Sequence, residues 1–366
     1  MAKEQTTQKK NVGNATKKSK SSKKKILLLA IEILVAVAAI CVFMFVMKFE
    51  RTNTRVNIDV EDLQIHKEVA NNEVMKGYRN IALFGVDSTT GSLGKDKESK
   101  TRSDTIMIAS INEETKEVRL VSVYRDTFLN LGNDTYTKCN GAYQKGGPEQ
   151  AMQMLNTNLD LDIEDFVTVG FKGLMDTVDA LGGVEIEITQ GEISHLNNYQ
   201  YSMAEDMEIE YTPIKEPGLQ ELNGLQATAY CRIRQIGNDF QRTERQREVL
   251  TQISEKAKTM SATQLEQIAT AAFEEVYTSL ELEEILSLLK DISSYEIVET
   301  AGFPEMDQLT TPTVGSHGSC VVPKNLANSV VWLHEFLFKE ENYQVTEQVQ
   351  NNSNEIDRLT SPYIGQ

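Results

Sequence analysis

The sequence predicts an α/β fold, an α-β-α sandwich built on a mixed central sheet. Short apolar segments that resemble strands alternate along the chain with segments of helical periodicity, which is typical of a sheet covered by helices. The turn sequence NEETK at 112–116 joins two of these strands and predicts a hairpin. A long apolar run before the domain predicts one transmembrane helix.

The N-terminal part of the chain has the pattern of a membrane anchor. Residues 1–25 contain nine lysines and one glutamate and so carry a formal charge of +8. The net charge of the whole chain is −17, so residues 26–366 carry −25. The run 26–47 holds a single acid, Glu32, and a helix of this length spans about 33 Å, enough to cross a hydrocarbon core. It is longer than a signal-peptide core, and its bulky end offers no cleavage site. It therefore predicts an uncleaved anchor with a cytoplasmic N-terminus and an extracellular domain.

The chain is expected to comprise five segments in order. These are a disordered basic tail over 1–25, the transmembrane helix over 26–47, an extracellular stalk over 48–78, the folded domain over 79–345 and a disordered tail over 346–366. The strands of the domain are predicted at 80–87, 104–111, 117–124, 166–171 and 184–189, with a further strand after 295. Its helices are predicted at 148–159, 173–181, 224–230, 242–260, 263–272 and 280–292, with another through 332–337. The acidic stretch 190–217 is expected to be an irregular surface excursion.

Composition and motifs exclude several functions. An acidic body does not suit a general nucleic-acid surface, which needs positive charge. The phosphate-cradling, zinc-protease and nucleophile-elbow motifs are absent from the sequence. The cysteines, at 41, 139, 231 and 320, form no C-x-x-C and predict neither a zinc site nor a dense disulfide framework. Two of the last three could pair outside the cell, and buried free thiols are the alternative.

An arginine-rich stretch at 231–247 is the local exception to the acidic body. Its sequence, CRIRQIGNDFQRTERQR, holds five arginines, with Asp239 and Gln246 among them. Guanidinium groups suit bidentate contact with phosphate oxygens. Arg232 and Arg234 have the alternate spacing that directs side chains to one side of an extended segment. Arg247, which has Glu244 and Glu248 nearby, is expected to be solvated.

Carboxylates at strand ends add a predicted metal site. Asp87 ends one predicted strand and Asp104 begins the next, so both can lie at one edge of the sheet. Two carboxylates suit Mg²⁺, which completes its shell with phosphate oxygens and water. Arg102 and Arg125 also fall at strand ends. Together with the arginine stretch, these residues predict a site for Mg²⁺ and a diphosphate.

The chain resembles the LytR-CpsA-Psr family of cell-envelope proteins through six ordered motifs over residues 78–260. The motifs are NIALFGVD (80–87), RSDTIMIASIN (102–112), LVSVYRDT (120–127), KCNGAYQKGG (138–147), VDALGGVE (178–185) and LNG…AYCRIR…DFQRTERQ (222–246). Tyr124 stands where the family usually has proline, and Cys139 where it usually has an aliphatic residue. Neither departure removes a charged residue of the site.

The resemblance implies a phosphotransferase at the outer face of the membrane of Gram-positive bacteria. Such an enzyme moves a glycopolymer from a polyprenyl diphosphate lipid to peptidoglycan, onto the 6-hydroxyl of N-acetylmuramic acid. The glycopolymer is teichoic acid, capsule or another wall polysaccharide. The implied fold contains an apolar tunnel for the lipid. Apolar candidates for such a wall, which would otherwise be plain core, are Met152, Met154, Leu155, Phe166, Val169, Phe171, Leu174, Met175, Val178 and Leu181.

The resemblance also implies roles for individual residues. Asp87 and Asp104 match the Mg²⁺ ligands. The diphosphate-binding set that matches is Arg102, Arg125, Lys138, Arg232, Arg234, Arg242, Arg245 and Gln246. We expect Arg125 to stabilise charge on the attacked phosphate, and either Asp104 or Asp239 to accept the hydroxyl proton. The alternatives to a transferase are a non-catalytic lipid-diphosphate scaffold or sensor, and a hydrolase of the lipid diphosphate.

Overall fold

A mixed sheet of six strands forms the centre of the computed structural model, which describes residues 58–87, 101–272 and 276–365. In chain order the strands are β1 (Tyr78–Val86), β2 (Ser103–Asn112), β3 (Glu117–Val123), β4 (Phe128–Asn130), β5 (Tyr136–Lys138), β6 (Asp165–Gly170), β7 (Val184–Ile188), β8 (Gly218–Leu222), β9 (Val276–Thr278), β10 (Glu296–Phe303), β11 (Leu309–Thr310) and β12 (Val322–Pro323). The central sheet has the order β10-β3-β2-β1-β6-β9. Strand β10 is parallel to β3 and β1 is parallel to β6, whereas the other neighbours are antiparallel. The predicted mixed sheet and the β2–β3 hairpin are confirmed.

Helices cover both faces of this sheet. In chain order they are α1 (Lys67–Ala70), α2 (Asn140–Leu159), α3 (Phe171–Leu181), α4 (Gln190–Met207), α5 (Gly224–Cys231), α6 (Asp239–Lys258), α7 (Ala262–Ala272), α8 (Leu282–Lys290), α9 (Leu326–Phe338) and α10 (Glu347–Thr360). Helix α2 is interrupted at Gly146 and Gly147, where Gly147 has a φ of +67° that favours glycine. The straight part of α2 therefore begins at Pro148, as its fixed φ predicts.

Alternation along the strands divides the sheet into two faces. Phe84, Ile106 and Phe166 lie on one face, where they are buried with side chains of α2, α9 and α10. Burial of each such side chain contributes about 1.5–3 kcal/mol. Leu83 and Met107 lie on the other face, opposite α6. The layers are therefore helix, sheet and helix, and the functional cavity lies on the α6 side.

A second apolar core lies beside the sheet and supports the arginine-rich stretch. It is built from α3, α4, α5 and the antiparallel pair β7–β8. Asn223 caps α5 through a reciprocal capping box with Gln226. A Cβ on Gly224 would stand 2.2 Å from the backbone oxygen of Met175. Only glycine allows α5 to pack this closely on α3, which explains the glycine after Leu222 and Asn223 at the start of α5.

Three predictions about segments of the chain are wrong. The acidic stretch 190–217 is largely the regular helix α4, which begins with a capping box between Thr189 and Glu192. The segment predicted as a disordered tail contains α10. Val349 and Ile356 of that helix are buried in the main core. Part of the predicted stalk also belongs to the domain, because Leu63 and Met75 are fully buried in the same core.

The predicted membrane anchor at 26–47 and the basic tail lie outside the described residues. Within the described ranges, no helix combines the length and apolar character needed to cross a bilayer.

Candidate active site

An apolar cavity of about 360 Å³ lies between the central sheet and α6. We call it the main cavity. Its sheet wall includes Leu83, Met107 and Val167, and its helix wall includes Leu250 and Ile253. Charged and polar side chains line the same cavity, namely Asp87, Asp104, Arg232, Arg234, Arg242 and Gln246. The main cavity therefore joins an apolar interior to a strongly charged site.

Helical periodicity explains why α6 contributes both kinds of wall. Its lining residues are Arg242, Gln246, Val249, Leu250 and Ile253, at spacings of i, i+4, i+7, i+8 and i+11. These spacings lie on one face of an α-helix. The first part of that face is polar and the second part is apolar. The apolar half was missed from the sequence, although this spacing could have revealed it.

Strand pairing brings the two predicted metal-site carboxylates to one edge of the sheet. Val86 pairs with Ser103 across antiparallel strands, so Asp87, just after β1, and Asp104, the second residue of β2, lie at the same end of the two strands. Asp87 is exposed, and Asp104 is partly buried. Among the described residues, no group of three or more His, Cys, Asp or Glu side chains is arranged to hold a metal. The metal role of the two aspartates remains a prediction.

Arg125 is the centre of the charged network beside the main cavity. Its Nη1 lies 2.6 Å from Asp104 Oδ1, and its Nε lies 3.6 Å from Asp239 Oδ1 and 3.9 Å from Asp126 Oδ2. Arg234 Nη2 donates to the other oxygen of Asp104 at 3.0 Å. Burial alone would lower the pKa of Arg125, but the surrounding carboxylates, Asp104 first, raise it. Arg125 therefore stays cationic and contacts the cavity lining through Asp104.

Arg242 is a buried cation that links the network to α6. Its side chain is 2 % exposed, and its Nη2 donates to the backbone oxygen of Asp104 at 2.9 Å. The same nitrogen lies 2.9 Å from Asp239 Oδ1. Burial, opposed by Asp239 and reinforced by Arg234 and Arg125, lowers the pKa of Arg242 to about 10. The guanidinium groups of Arg125, Arg234 and Arg242 are thus held close together around Asp104.

Arg232 is fixed by aromatic rings. Its guanidinium carbon lies 4.6 Å from the ring centre of Phe171 and 5.3 Å from that of Tyr199, a cation–π arrangement. Arg232 and Arg234 both line the main cavity. The prediction that they belong to an extended segment was wrong, because Arg232 has helical backbone angles at the end of α5. Tyr199 was missed, because it belongs to α4 in the stretch predicted to be irregular.

Arg245 does not line the main cavity. Its Nε donates to Glu192 Oε1 at 2.7 Å, and both side chains are 8 % exposed. Its Nη1 and Nη2 donate to the backbone oxygens of Ile233 and Ile236 at 3.3 and 3.5 Å. Arg245 therefore holds the turn between α5 and α6 in place. The structure places it behind the predicted diphosphate site and not within it.

Arg102 and Lys138 also lie outside the lining of the main cavity. Arg102 is exposed, and its Nε donates to Gln144 Oε1 at 3.0 Å. Lys138 Nζ lies 3.2 Å from Asp126 Oδ1, which connects Lys138 to Arg125. The charged network therefore extends from Asp104 outward to Lys138.

Arg247 is buried, so the expectation that it is solvated was wrong. It is 7 % exposed, and its Nη1 lies 3.4 Å from Thr243 Oγ1. Within the described part of the chain it has no ion pair with a carboxylate. Burial lowers its pKa, and the nearby Tyr124 and Glu244 oppose that shift.

The cysteines and apolar candidates divide between site and core. Cys139, Cys231 and Cys320 are free and buried, which confirms the free-thiol alternative. Cys231 lines the main cavity. Of the apolar candidates, Val169, Phe171 and Leu174 line it. The remaining seven, which are not in its lining, are Met152, Met154, Leu155, Phe166, Met175, Val178 and Leu181.

Comparison with known proteins identifies the family. The model of the LytR_cpsA_psr family matches residues 43–320. The chain belongs to this family. The resemblance seen in the motifs is thereby confirmed, and the mixed α/β fold is the one found in solved structures of its members.

Three relatives illustrate what the chain is similar to. It is 30% identical over 214 residues to biofilm regulatory protein A of Streptococcus mutans, covering 56% of this chain and 50% of that protein. It is 28% identical over 205 residues to the polyisoprenyl-teichoic acid–peptidoglycan teichoic acid transferase TagV of Bacillus subtilis, covering 54% and 50%. The matches thus span about half the length of these relatives. The structure of Bacillus subtilis TagT with bound octaprenyl pyrophosphate lipid superposes with a TM-score of 0.52 at 21% identity, covering 73% and 93%.

Proposed function

We propose that this protein is a membrane-anchored extracellular phosphotransferase. It moves a glycopolymer from a polyprenyl diphosphate lipid to the 6-hydroxyl of N-acetylmuramic acid in peptidoglycan. One observation carries the proposal: Arg232, Arg234 and Arg242 line the same cavity as the apolar side chains of α6 and the sheet. Guanidinium groups suit a diphosphate, and an apolar interior suits an isoprenoid chain.

The names of similar proteins support this substrate class. TagV is named as a transferase of polyisoprenyl-linked teichoic acid to peptidoglycan, and TagT has been solved with a polyprenyl pyrophosphate. The name of biofilm regulatory protein A describes a cellular effect and no chemistry. We infer the reaction from the site itself, where cationic and apolar side chains line one cavity.

The donor set fits Mg²⁺. Asp87 and Asp104 would hold the ion, since both line the main cavity and carboxylate oxygens are ligands that Mg²⁺ prefers. When bound, the ion would offset negative charge on the phosphate oxygens. Asp104 already contacts Arg125 and Arg234, so it would share its charge between these cations and the metal.

Positioning and charge neutralisation explain how the residues promote transfer. The acceptor hydroxyl oxygen bonds to the phosphorus next to the sugar, and the bond to the departing polyprenyl phosphate breaks. Arg125, Arg234 and Arg242 stabilise the negative charge that develops. The hydroxyl proton goes to a carboxylate. Asp104 and Asp239 are the two candidates. Asp104 lines the cavity, but both of its oxygens contact arginines. Asp239 Oδ2 is buried, and its Oδ1 contacts Arg125 and Arg242.

The location of the enzyme follows from the sequence of its N-terminal part. The apolar run 26–47 anchors the chain in the cytoplasmic membrane, and the lysine-rich tail keeps the N-terminus inside. The domain then lies outside, where lipid-linked polymer and peptidoglycan meet.

A product assay tests the proposal against its alternatives. The full chain in detergent is incubated with Mg²⁺, a labelled polyprenyl diphosphate glycopolymer and peptidoglycan. Label linked to peptidoglycan supports the transferase. Label released as soluble sugar phosphate indicates a hydrolase. Tight binding of the lipid without any product indicates a scaffold or sensor, and either result contradicts the proposal.

A further inference from the structure

A second cavity, which we call the side cavity, lies between the β4–β5 pair and the C-terminal helix α10. Its volume is also about 360 Å³, within the usual range for ligand sites. Three aromatic rings, one imidazole and two carboxylates contribute most of its chemistry: Phe128, Tyr136, Tyr363, His317, Asp134 and Glu355. It contains no residue of the charged network described above.

The walls of the side cavity are held in fixed positions. Tyr136 donates its hydroxyl hydrogen bond to Asn352 Oδ1 at 2.9 Å, which ties β5 to α10. His317 Nδ1 lies 2.8 Å from Thr137 Oγ1. Both carboxylate oxygens of Glu355 accept hydrogen bonds from Arg358, at 2.6 and 2.7 Å. These contacts orient Tyr136, His317 and Glu355 before any ligand arrives.

The side cavity is adjacent to the outer end of the charged network. Tyr136 and Lys138 are two residues apart in β5, so their side chains lie on the same face, about 7 Å apart along the strand. Lys138 contacts Asp126, which contacts Arg125. A group held against Tyr136 thus lies near Lys138, the outer end of the network that we assign to phosphate transfer.

The lining chemistry favours an uncharged, hydroxyl-rich ring. Aromatic faces pack against the apolar face of a sugar, and carboxylates and imidazole exchange hydrogen bonds with its hydroxyls. Among the described residues, no lysine or arginine lines the side cavity, whereas Asp134 and Glu355 do, and these acids would repel a phosphate. The phosphate site and this cavity therefore differ in the ligands they can take.

We propose that the side cavity is a sugar-binding subsite that holds one ring of a wall glycan next to the charged network. This inference rests on the proposed transferase function and extends it to the carbohydrate part of a substrate. The lining residues Glu355 and Tyr363 lie beyond residues 43–320, the range that the family model matches. The subsite is therefore built in part by the C-terminal segment of this chain.

Binding of a soluble glycan tests the subsite without requiring turnover. The tetramer of N-acetylglucosamine is titrated into the full chain in detergent, by calorimetry. We expect measurable binding that Tyr363→Ala weakens about tenfold, because an aromatic surface is lost. Glu355→Gln is expected to weaken it several-fold. Glu73→Gln is the matched control: it makes the same change as Glu355→Gln in an exposed ion pair, with Lys76, that does not line the cavity, and it is expected to leave binding unchanged.

Two further results separate this proposal from the proposed function. Arg234→Ala is expected to abolish lipid diphosphate binding and to leave tetramer binding unchanged. In the transfer assay, Tyr363→Ala is expected to raise the KM for peptidoglycan if the ring belongs to the acceptor, or for the lipid-linked polymer if it belongs to the donor. Absence of tetramer binding by the unmodified chain, or Tyr363→Ala with unchanged binding and unchanged KM for both substrates, would overturn the subsite. If the unmodified chain binds the tetramer but transfers no glycopolymer, the proposed transferase function is refuted and the subsite is not.

Discussion

Arg245→Ala is expected to destabilise the domain by breaking a buried ion pair. In the native protein Arg245 Nε lies 2.7 Å from Glu192 Oε1, and both side chains are 8 % exposed. Removing the guanidinium leaves the carboxylate buried without its cation. It also leaves the carbonyls of Ile233 and Ile236 without these donors.

The expected loss is about 3–5 kcal/mol, the usual cost of leaving one partner of a buried pair uncompensated. This is a large part of a typical unfolding free energy of about 5–15 kcal/mol. For a domain of this size it corresponds to a fall in Tm of about 6–10 °C. Because the carbonyls of the turn lose their donors as well, we also expect the backbone that positions Arg232 and Arg234 to become more mobile.

Arg247→Ala is the matched control. Arg247 lies in the same helix and is equally buried, at 7 % exposure for both residues, but within the described residues it has no carboxylate partner. Its removal leaves no orphaned charge, so we expect a loss of about 1 kcal/mol from packing alone. Denaturant unfolding of the unmodified chain and both variants measures the difference. Equal losses for the two substitutions would refute the role given to the Glu192–Arg245 pair.

Acid should weaken the same interaction. Burial alone would raise the pKa of Glu192, but hydrogen bonds from Thr189 and Arg245 lower it below the ordinary value of 4.5. A carboxyl group with a depressed folded-state pKa contributes stability above about pH 4.5, and this contribution is lost as the pH falls through the folded-state pKa. The difference in Tm between the unmodified chain and Glu192→Gln should therefore be large at pH 7 and should shrink towards pH 3. A difference that is the same at both pH values would contradict this assignment.

Three further predictions concern the main cavity and its surroundings. Ile253→Trp should fill the apolar part, so that polyprenyl diphosphate binds at least tenfold more weakly while inorganic diphosphate binds as before; equal weakening of both in a titration would contradict the division of the cavity. Arg232→Lys keeps the charge but loses the flat contact with the rings, and should lower diphosphate affinity several-fold, whereas unchanged affinity would show that stacking is unimportant. Burial raises the pKa of the Cys231 thiol to about 12 and also raises those of Cys139 and Cys320. We expect these thiols to resist alkylation at pH 8 until the chain is unfolded, and rapid labelling of the native protein would contradict their burial.

The sequence was most informative where local patterns determine structure. Strand ends placed Asp87 and Asp104 at one edge, because apolar runs and the NEETK turn specify both strands and their antiparallel pairing. The same reasoning could not assign the arginines of α6. Arg242 lies on the cavity face, whereas Arg245 and Arg247 lie off it, and the phase of the helix relative to the sheet is a tertiary property.

Two helices escaped prediction for different physical reasons. Helix α10 places Asn352, Ser353 and Thr360 at positions that face the core, so its hydrophobic period is obscured by buried polar groups. Asn352 is satisfied there by Tyr136 and by the backbone oxygen of Thr157, contacts that no local pattern reveals. Helix α4 is rich in polar residues. The ion-pair partner of its Glu192 is Arg245, which lies 53 positions away in sequence.

The central claim is that Arg125 and its neighbours carry out phosphate transfer, and Arg125→Ala tests it most directly. Without Arg125, Asp104 still contacts Arg234 and Asp239 still contacts Arg242, so the domain should remain folded with a Tm close to that of the unmodified chain. Transfer of labelled glycopolymer to peptidoglycan should fall about 10²–10³-fold, the usual effect of losing one charge-stabilising donor. Lys76→Ala, which changes an exposed cation just before β1, at the opposite end of that strand from Asp87, should transfer at the normal rate. A folded Arg125→Ala protein that transfers polymer at the rate of the unmodified chain would contradict the account.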